Sequence, residues 1–189
     1  MTPEPSRIRR VRSRLQYADE ENPYVRVYYD EVEWPDGRRG RYNRVVEGAG
    51  VPGVAVLPLV GGGVGLVQVD RYPVGMRLWE VPRGFGEGEP EADARRELLE
   101  ETGWSAIELI DLGQIYLNSG LLAGHVRLFA AKVDGGAALA GARDDEAVEV
   151  AVLPVDTVRS LLEEGSLPDA VTQAVILQAS LRGLLDLKG

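Results

Sequence analysis

The chain has 189 residues, a formal net charge of −9, no cysteine and one histidine. Its length is sufficient for one sizeable domain, and its negative charge argues against a general nucleic-acid binder, which usually has a basic face. Disulfides and thiolate metal sites are excluded, and a single histidine makes zinc a poor candidate. No apolar run approaches the ~20 residues that span a bilayer, and no signal-peptide pattern opens the chain, so we expect a cytoplasmic protein without a membrane partner.

The N-terminal part of the sequence predicts two small segments. Residues 1–22 form a basic arm in which residues 7–14 contain five arginines. Such a run is typical of a solvated, partly ordered segment, and the alternative is contact with an acidic partner or a phosphate. Residues 23–48 are predicted to be a small β-hairpin subdomain, because alternating segments rich in Val and Tyr flank a Pro-Asp-Gly turn at residues 35–37.

The remaining residues, 49–189, are assigned to one further domain in which strand and helix patterns alternate. The glycine run at residues 61–63 is followed by a strand pattern, so it indicates a hairpin turn rather than a phosphate loop. The pattern predicts an α/β fold with helices on the faces of a mixed sheet. Predicted strands are residues 54–60, 64–69, 78–81, 107–116, 125–133 and 146–153, and predicted helices are residues 91–102, 155–164 and 169–185.

The first predicted helix carries glutamates close to its end. At about 100° per residue, Glu97 and Glu101 lie roughly 40° apart, and Glu100 lies about 60° from Glu97 on the other side. Like charges at this spacing repel each other, and the helix dipole disfavours acids in the last turn. One interpretation is a solvated outer face, and the other is a divalent cation held by oxygen ligands, for which Mg²⁺ or Mn²⁺ is suited. Anchoring of the helix to a core through Leu98, after a glycine-rich loop, favours the cation.

The segment Arg95–Trp104, RRELLEETGW, resembles the second half of the Nudix box. In that pattern Arg-Glu, an apolar residue, any residue, Glu-Glu, any residue, Gly and an apolar residue follow in order, and every position matches. The first half departs from the pattern, because its glycine and glutamate positions fall on Pro82 and Gly88. Gly84 and Glu89 fit those positions only in a shortened loop, with Glu89 as the structural acid near the arginine of the box.

Further segments resemble the ADP-ribose pyrophosphatase branch of the Nudix hydrolases. The likeness covers most of residues 24–182. It implies a Nudix fold, hydrolysis of ADP-ribose to AMP and ribose 5-phosphate, and a homodimer to which the N-terminal hairpin contributes. The segments that carry the likeness are DRYPVGMRLWEVPRG at 70–84, YLNSGLL at 116–122, DDEAVEV at 144–150 and LLEEGSLPDAVTQAVILQ at 161–178.

The resemblance implies a metal site and a catalytic group. Glu97, Glu100, Glu101 and the backbone carbonyl of Arg83 would hold Mg²⁺ or Mn²⁺. Arg96 would orient the glutamates, and its alternative is an ordinary surface ion pair. The general base would be Glu146, for which the alternative is a solvated acid at the end of a strand. The implied catalytic residues are therefore Glu97, Glu101, Glu146 and Arg96.

The resemblance also implies contacts with a small nucleotide substrate through Arg71, Glu80, Trp79 and Ser119. Two alternatives stay open, because Arg71 and Glu80 could pair with each other across strands and Trp79 could pack in the core. A second hypothesis keeps the reaction but changes the substrate to a sugar nucleotide, a dinucleoside polyphosphate or a damaged nucleotide. A third is a nucleotide-binding sensor without turnover, against which the intact glutamates argue.

Overall fold

A computed structural model describes residues 4–134 and 147–187 of the chain. These residues divide into two compact units. The first contains the chain up to Val51 together with Asn118–Gly124, and the second contains Pro52–Leu117 and the chain from His125 onward. Within the described residues, no helix combines the length and the apolar composition that a membrane crossing requires.

The first unit is a three-stranded antiparallel sheet in the order β1-β2-β3. The predicted hairpin is confirmed, because β2 and β3 are joined by a turn in which Gly37 adopts a φ of 83°. The free edge of β3 contacts the second segment of this unit, where Val45 N donates to Leu121 O at 2.9 Å. The strands are β1 (Arg9–Tyr17), β2 (Val25–Glu33) and β3 (Arg39–Glu47).

Strand β1 corrects the prediction of a partly ordered basic arm. Strand β1 is exposed along its whole length, as expected of the arm, but it is ordered and pairs with β2. Its arginines find partners on β2: Arg9 Nη2 lies 3.0 Å from Glu33 Oε1, and the Arg14 guanidinium lies 5.5 Å from the centre of the Tyr29 ring. Side chains that alternate along an extended chain can make such cross-strand contacts, which a charge count does not reveal.

The second unit contains a seven-stranded sheet with the central order β10-β5-β4-β9-β8, to which β6 adds on β5 and β7 on β4. Strands β4 and β9 pair in parallel and the other pairs are antiparallel, so the predicted mixed sheet is confirmed. Its strands are β4 (Gly53–Val60), β5 (Gly63–Arg71), β6 (Met76–Glu80), β7 (Arg83–Gly84), β8 (Ala106–Ile115), β9 (Val126–Val133) and β10 (Ala147–Pro154). The helices are α1 (Pro90–Thr102), α2 (Val155–Glu163) and α3 (Ala170–Leu181).

The last helix is shorter than the sequence predicts. Helix α3 ends at Leu181 instead of continuing to residue 185, because Gly183 adopts a left-handed φ of 71°. Gly183 N then donates to Ser180 O at 3.0 Å and Leu184 N to Ala179 O at 3.0 Å. These bonds satisfy carbonyls at the helix end that would otherwise have no partner.

Helices cover both faces of the sheet, as the two apolar clusters show. Successive side chains of a strand point to opposite faces. Ala55 and Leu57 of β4 therefore join a cluster with residues of α2 and α3, whereas Val54 and Val56 join a cluster with α1. Leu98 of α1 is fully buried in the second cluster, where a leucine contributes about 1.5–3 kcal/mol. This packing fixes the helix that carries the glutamates.

Candidate active site

The three glutamates of α1 have different surroundings. Glu97 is 8 % exposed and Glu101 is 6 % exposed, whereas the Glu100 side chain is 47 % exposed. Helix α1 ends directly after them, because Gly103 adopts a φ of 73° and donates from its N–H to Leu99 O at 2.8 Å. A spacing argument places all three in one sector, but only the tertiary structure covers two of them.

The two buried carboxylates lie against the short strand β7. The backbone N of Arg83 donates to Glu101 Oε1 at 3.4 Å. A Cβ atom built on Gly84 would collide with the carboxylate of Glu97. The structure thus brings Arg83, Glu97 and Glu101 together, and a side chain at position 84 would displace the Glu97 carboxylate from this arrangement.

Arg96 joins the glutamates to the loop before the helix. Its Nη1 lies 2.8 Å from Glu97 Oε1 and 3.1 Å from Glu100 Oε2, and its Nη2 donates to Phe85 O at 2.9 Å. Burial alone lowers the pKa of Arg96, but the charges of Glu97 and Glu100 outweigh it and raise the pKa above its ordinary value. The guanidinium therefore stays charged and fixes two carboxylates at once.

The sequence predicted Glu89 as the structural acid near Arg96. In the structure this acid is Asp93. Among the described residues, the acids within 4.0 Å of the Arg96 guanidinium are Glu87, Asp93, Glu97 and Glu100. The buried Asp93 also accepts a hydrogen bond at 2.9 Å from the backbone N of Glu87. Asp93 lies three residues before Arg96, and this helical spacing is the signal that could have identified it.

Glu80 of β6 is a further buried acid, and it lies fully buried between two arginines. Arg71 Nη2 donates to Glu80 Oε2 at 2.7 Å, and Arg83 Nε donates to the same oxygen at 2.8 Å. Burial alone raises the pKa of Glu80, but the hydrogen bonds from Arg71 and the charge of Arg83 hold it below its ordinary value of 4.5. The alternative in which Arg71 and Glu80 pair across strands is thereby confirmed, with Arg83 as a partner that the sequence did not indicate.

The remaining predicted site residues are Trp79, Ser119 and Glu146. Trp79 is half-buried and packs against the apolar cluster beneath α2 and α3, as expected of the core alternative. Ser119 belongs to the first unit, whereas the glutamates of α1 belong to the second. Glu146 lies outside the described residues.

The donor set of the site suits a hard divalent cation. It consists of the carboxylate oxygens of Glu97 and Glu101, and Mg²⁺ and Mn²⁺ prefer oxygen ligands. Within residues 4–134 and 147–187, no three His, Cys, Asp or Glu side chains form a cluster that could hold a metal ion. Mg²⁺ commonly uses one or two carboxylates, and water and substrate phosphates complete its shell. The pair Glu97 and Glu101, beside β7, fits an ion of that kind.

Comparison with known proteins agrees with this arrangement. The model of the NUDIX domain matches residues 50–173. An ADP-ribose pyrophosphatase of Bacillus subtilis (strain 168) is 31% identical over 167 residues, which cover 85% of this chain and 88% of the relative. A GDP-mannose pyrophosphatase of Cronobacter sakazakii is 28% identical over 120 residues, which cover 62% of this chain and 63% of the relative.

The fold has a counterpart among solved structures. A crystal structure of an ADP compounds hydrolase superposes with a TM-score of 0.76 at 15% sequence identity, and the match covers 97% of this chain and 100% of that chain. Nudix hydrolases act on small-molecule nucleotide substrates and generally use divalent metal ions. With the glutamates and the arginine of the Nudix box assembled at the end of α1, the chain belongs to the Nudix family of hydrolases.

Proposed function

We propose that this Nudix hydrolase cleaves ADP-ribose to AMP and ribose 5-phosphate with Mg²⁺ or Mn²⁺. The observation that carries the proposal is the similarity to the ADP-ribose pyrophosphatase of Bacillus subtilis, which extends over both units of the chain. The buried pair of glutamates supports it, because this pair can hold a divalent cation. Hydrolysis of a diphosphate requires a positive charge next to the scissile linkage to neutralise its negative charge.

The acidic end of α1 provides the proposed metal site. Glu97, Glu101 and the backbone carbonyl of Arg83 would hold the ion, and the more exposed Glu100, which forms no three-acid cluster with them among the described residues, would join them as a ligand when the ion binds. A bound divalent ion neutralises charge on the diphosphate and lowers the pKa of water. Arg96 holds Glu97 and Glu100 through hydrogen bonds of 2.8–3.1 Å, so their oxygens need not reorganise when substrate binds.

The proposed proton acceptor and substrate contacts come from other parts of the chain. Glu146 is the proposed general base, and removal of a proton by a positioned carboxylate contributes about 10²–10⁴-fold. Arg71, Glu80, Trp79 and Ser119 are the proposed substrate contacts. Of these, Arg71 is bonded to Glu80 and has a side chain that is 26 % exposed.

The decisive experiment replaces Glu101 by Gln. The amide keeps the size of the side chain but removes the charge, so we expect hydrolysis of ADP-ribose to fall by about 10²-fold or more while the fold is retained. The matched control is Glu91→Gln, which removes one charge from the exposed first turn of the same helix. Equal turnover in the two variants would contradict the metal-site assignment.

A second candidate substrate is GDP-mannose, because the similar proteins include GDP-mannose pyrophosphatases. A product assay separates the candidates: ADP-ribose yields AMP and ribose 5-phosphate, whereas GDP-mannose yields GMP and mannose 1-phosphate. The substrate with the higher kcat/KM identifies the specificity. Calorimetric binding without product in either case would support a nucleotide sensor instead.

We also propose a cytoplasmic homodimer to which residues 23–48 contribute. The supporting observation is that residues 23–48 form β2 and β3 of the first sheet, whose edge strand β1 is exposed and carries the large hydrophobic side chains of Leu15 and Tyr17 on its surface. Sedimentation of the purified chain measures the state directly. A single species with the mass of one 20.5 kDa chain would contradict the dimer.

A further inference from the structure

A chain of hydrogen bonds fastens the start of helix α3 to the segment that follows β6. Asp169 is the N-cap of α3, and its Oδ2 accepts hydrogen bonds from the backbone N and the Oγ1 of Thr172, both at 2.8 Å. The hydroxyl of Thr172 in turn accepts from the backbone N of Val81 at 3.1 Å. None of these residues has a role in the proposed mechanism.

Asp169 makes one contact that capping does not explain. Its second oxygen, Oδ1, accepts from Arg83 Nη2 at 3.2 Å. A helix cap needs one side-chain oxygen, and Ser or Asn serves about as well as Asp. A contact with a guanidinium benefits from a full carboxylate, and the Asp169 side chain is only 11 % exposed, so the pair is largely shielded from salt.

Arg83 connects this pair with the catalytic glutamates. Its side chain reaches Asp169 and Glu80, and its backbone N reaches Glu101. The next residue, Gly84, lies against Glu97. Strand β7 consists of only these two residues and pairs with β4 alone. Such a short strand has few backbone hydrogen bonds, so the anchored side chain of Arg83 contributes much of its positional restraint.

We propose that Asp169 and Thr172 are positioning residues for the hydrolysis reaction. Asp169 holds the side chain of Arg83 and Thr172 holds Asp169, and together they keep the Arg83–Gly84 segment in register with Glu97 and Glu101. The inference rests on the proposed function in that it takes these glutamates as the catalytic site. Displacement of a catalytic segment by about 1 Å can reduce turnover by about 10²-fold, so the anchor has a measurable consequence.

The test replaces Asp169 by Ser, which keeps the helix cap but removes the charge and is too short to reach Arg83. We expect kcat to fall about 10- to 100-fold, KM to stay within about threefold, and the thermal midpoint to stay close to that of the wild type. Thr172→Ser retains the hydroxyl and should keep kcat near the wild-type value.

The matched control is Asp156→Ser. Asp156 also lies in the first turn of a helix, α2, and its Oδ1 lies 3.1 Å from Arg159, but its side chain is 82 % exposed. If Asp169 only stabilised the fold, its variant would lower the thermal midpoint and keep the kcat of the Asp156 variant. That result would overturn the proposal.

A double variant tests whether Asp169 acts through Arg83. The single variant Arg83→Gln removes the guanidinium, and adding Asp169→Ser should then change kcat by less than about twofold, because residues that act as one unit are not additive. If the fold-reduction of kcat in the double variant equalled the product of the reductions in the two single variants, the two residues would act independently, and the proposal would be overturned.

Manganese affinity separates this proposal from the question of substrate. If the wild type hydrolysed neither ADP-ribose nor GDP-mannose, the proposed substrate assignment would fail, but the dissociation constant for Mn²⁺, measured by electron paramagnetic resonance, would still report on the glutamates. Weakening by about threefold or more in Asp169→Ser relative to Asp156→Ser supports the positioning role. Equal Mn²⁺ affinity in these two variants overturns it.

Discussion

Each unit of the chain contains a buried carboxylate that accepts hydrogen bonds from arginine, Asp30 in the first unit and Glu80 in the second. In the first unit, Asp30 Oδ2 accepts from Arg44 Nε at 2.6 Å, and its Oδ1 accepts from the hydroxyl of Ser13. In the second unit, Glu80 accepts from Arg71 and Arg83. The chemistry is alike, but the surroundings of the two carboxylates differ.

Around Asp30 there is little apolar core. Among the described residues of the first unit, Val32 is the only apolar residue that is buried. The network joins all three strands, since Ser13 lies on β1, Asp30 on β2 and Arg44 on β3. Arg44 also stacks at 4.4 Å from the centre of the Tyr28 ring. Polar and cation–π contacts therefore hold a sheet that has few buried apolar side chains.

Around Glu80 the apolar core is complete, with fully buried neighbours such as Leu66, Val67 and Val81. Replacing a whole buried ion pair by apolar residues is often neutral, whereas removing one partner leaves a buried charge without compensation and is strongly destabilising. The Glu80 network instead reaches the backbone of β7 and the cap of α3. The Asp30 network therefore connects the strands of a sheet, whereas the Glu80 network connects the elements around the candidate site.

The largest effect is expected for Glu80→Ala. The change leaves two guanidiniums beside an empty space, so we expect a loss of about 3–5 kcal/mol in the free energy of unfolding, together with a fall in kcat. The two are measured by urea denaturation and by turnover. The control Asp70→Ala removes a pair with Arg77 across the same strands, β5 and β6, but on the exposed surface. Similar losses of stability in both variants would show that burial of Glu80 between two arginines adds nothing to its contribution, and would contradict the prediction.

A smaller effect is expected for Asp30→Ala. Arg44 is partly exposed and keeps its contact with Tyr28, so the loss should be about 1–3 kcal/mol, with kcat reduced less than in Glu80→Ala. The control is Glu33→Ala, because Glu33 also joins β1 and β3, through Arg9 and Arg39, but its side chain is 27 % exposed, against 5 % for Asp30. If Asp30→Ala lowered kcat as much as Glu80→Ala does, the two networks would not differ in their effect on catalysis, and the prediction would be wrong.

The smallest effect concerns pH. Hydrogen bonds from Arg44 hold the pKa of Asp30 below its ordinary value of 3.8, and the pKa of Glu80 lies below 4.5. A lowered folded-state pKa means that the unfolded chain binds more protons, so this stabilisation is complete above the ordinary values and is lost as the pH falls through the folded ones. The deficit of each alanine variant should therefore shrink below pH 4.5 for Glu80 and below pH 3.8 for Asp30. Urea denaturation between pH 7 and 3 checks this, and a deficit independent of pH would contradict it.

Local patterns predicted most elements of the second unit. Helix α1 lies within one residue of its predicted bounds, because strong helix formers stop at Gly103 in a left-handed conformation. The turn at Gly61 and Gly62 is confirmed by positive φ values of 54° and 85° between β4 and β5. These features depend on residues close in sequence, so local physical chemistry is sufficient to predict them.

Long-range contacts account for what the sequence did not predict. Order in β1 depends on partners across the sheet, such as Glu33 and Tyr29. The contact of Arg83 with Asp169 spans 86 residues of chain. Asp93 was not predicted, because the family pattern places the structural acid at the glutamate position of the box. In the structure the acid lies three residues before Arg96 on the same helix.

By itself the sequence determined the chemical identity of the site: three glutamates and an arginine on one helix, after a glycine-containing loop. Helical spacing fixes which side chains share a sector, and this depends only on backbone geometry. The tertiary structure alone decided that Glu97 and Glu101 are buried against β7 while Glu100 is exposed. Burial and pairing depend on elements far apart in the chain, which packing of the sheet against α1 and α3 brings together.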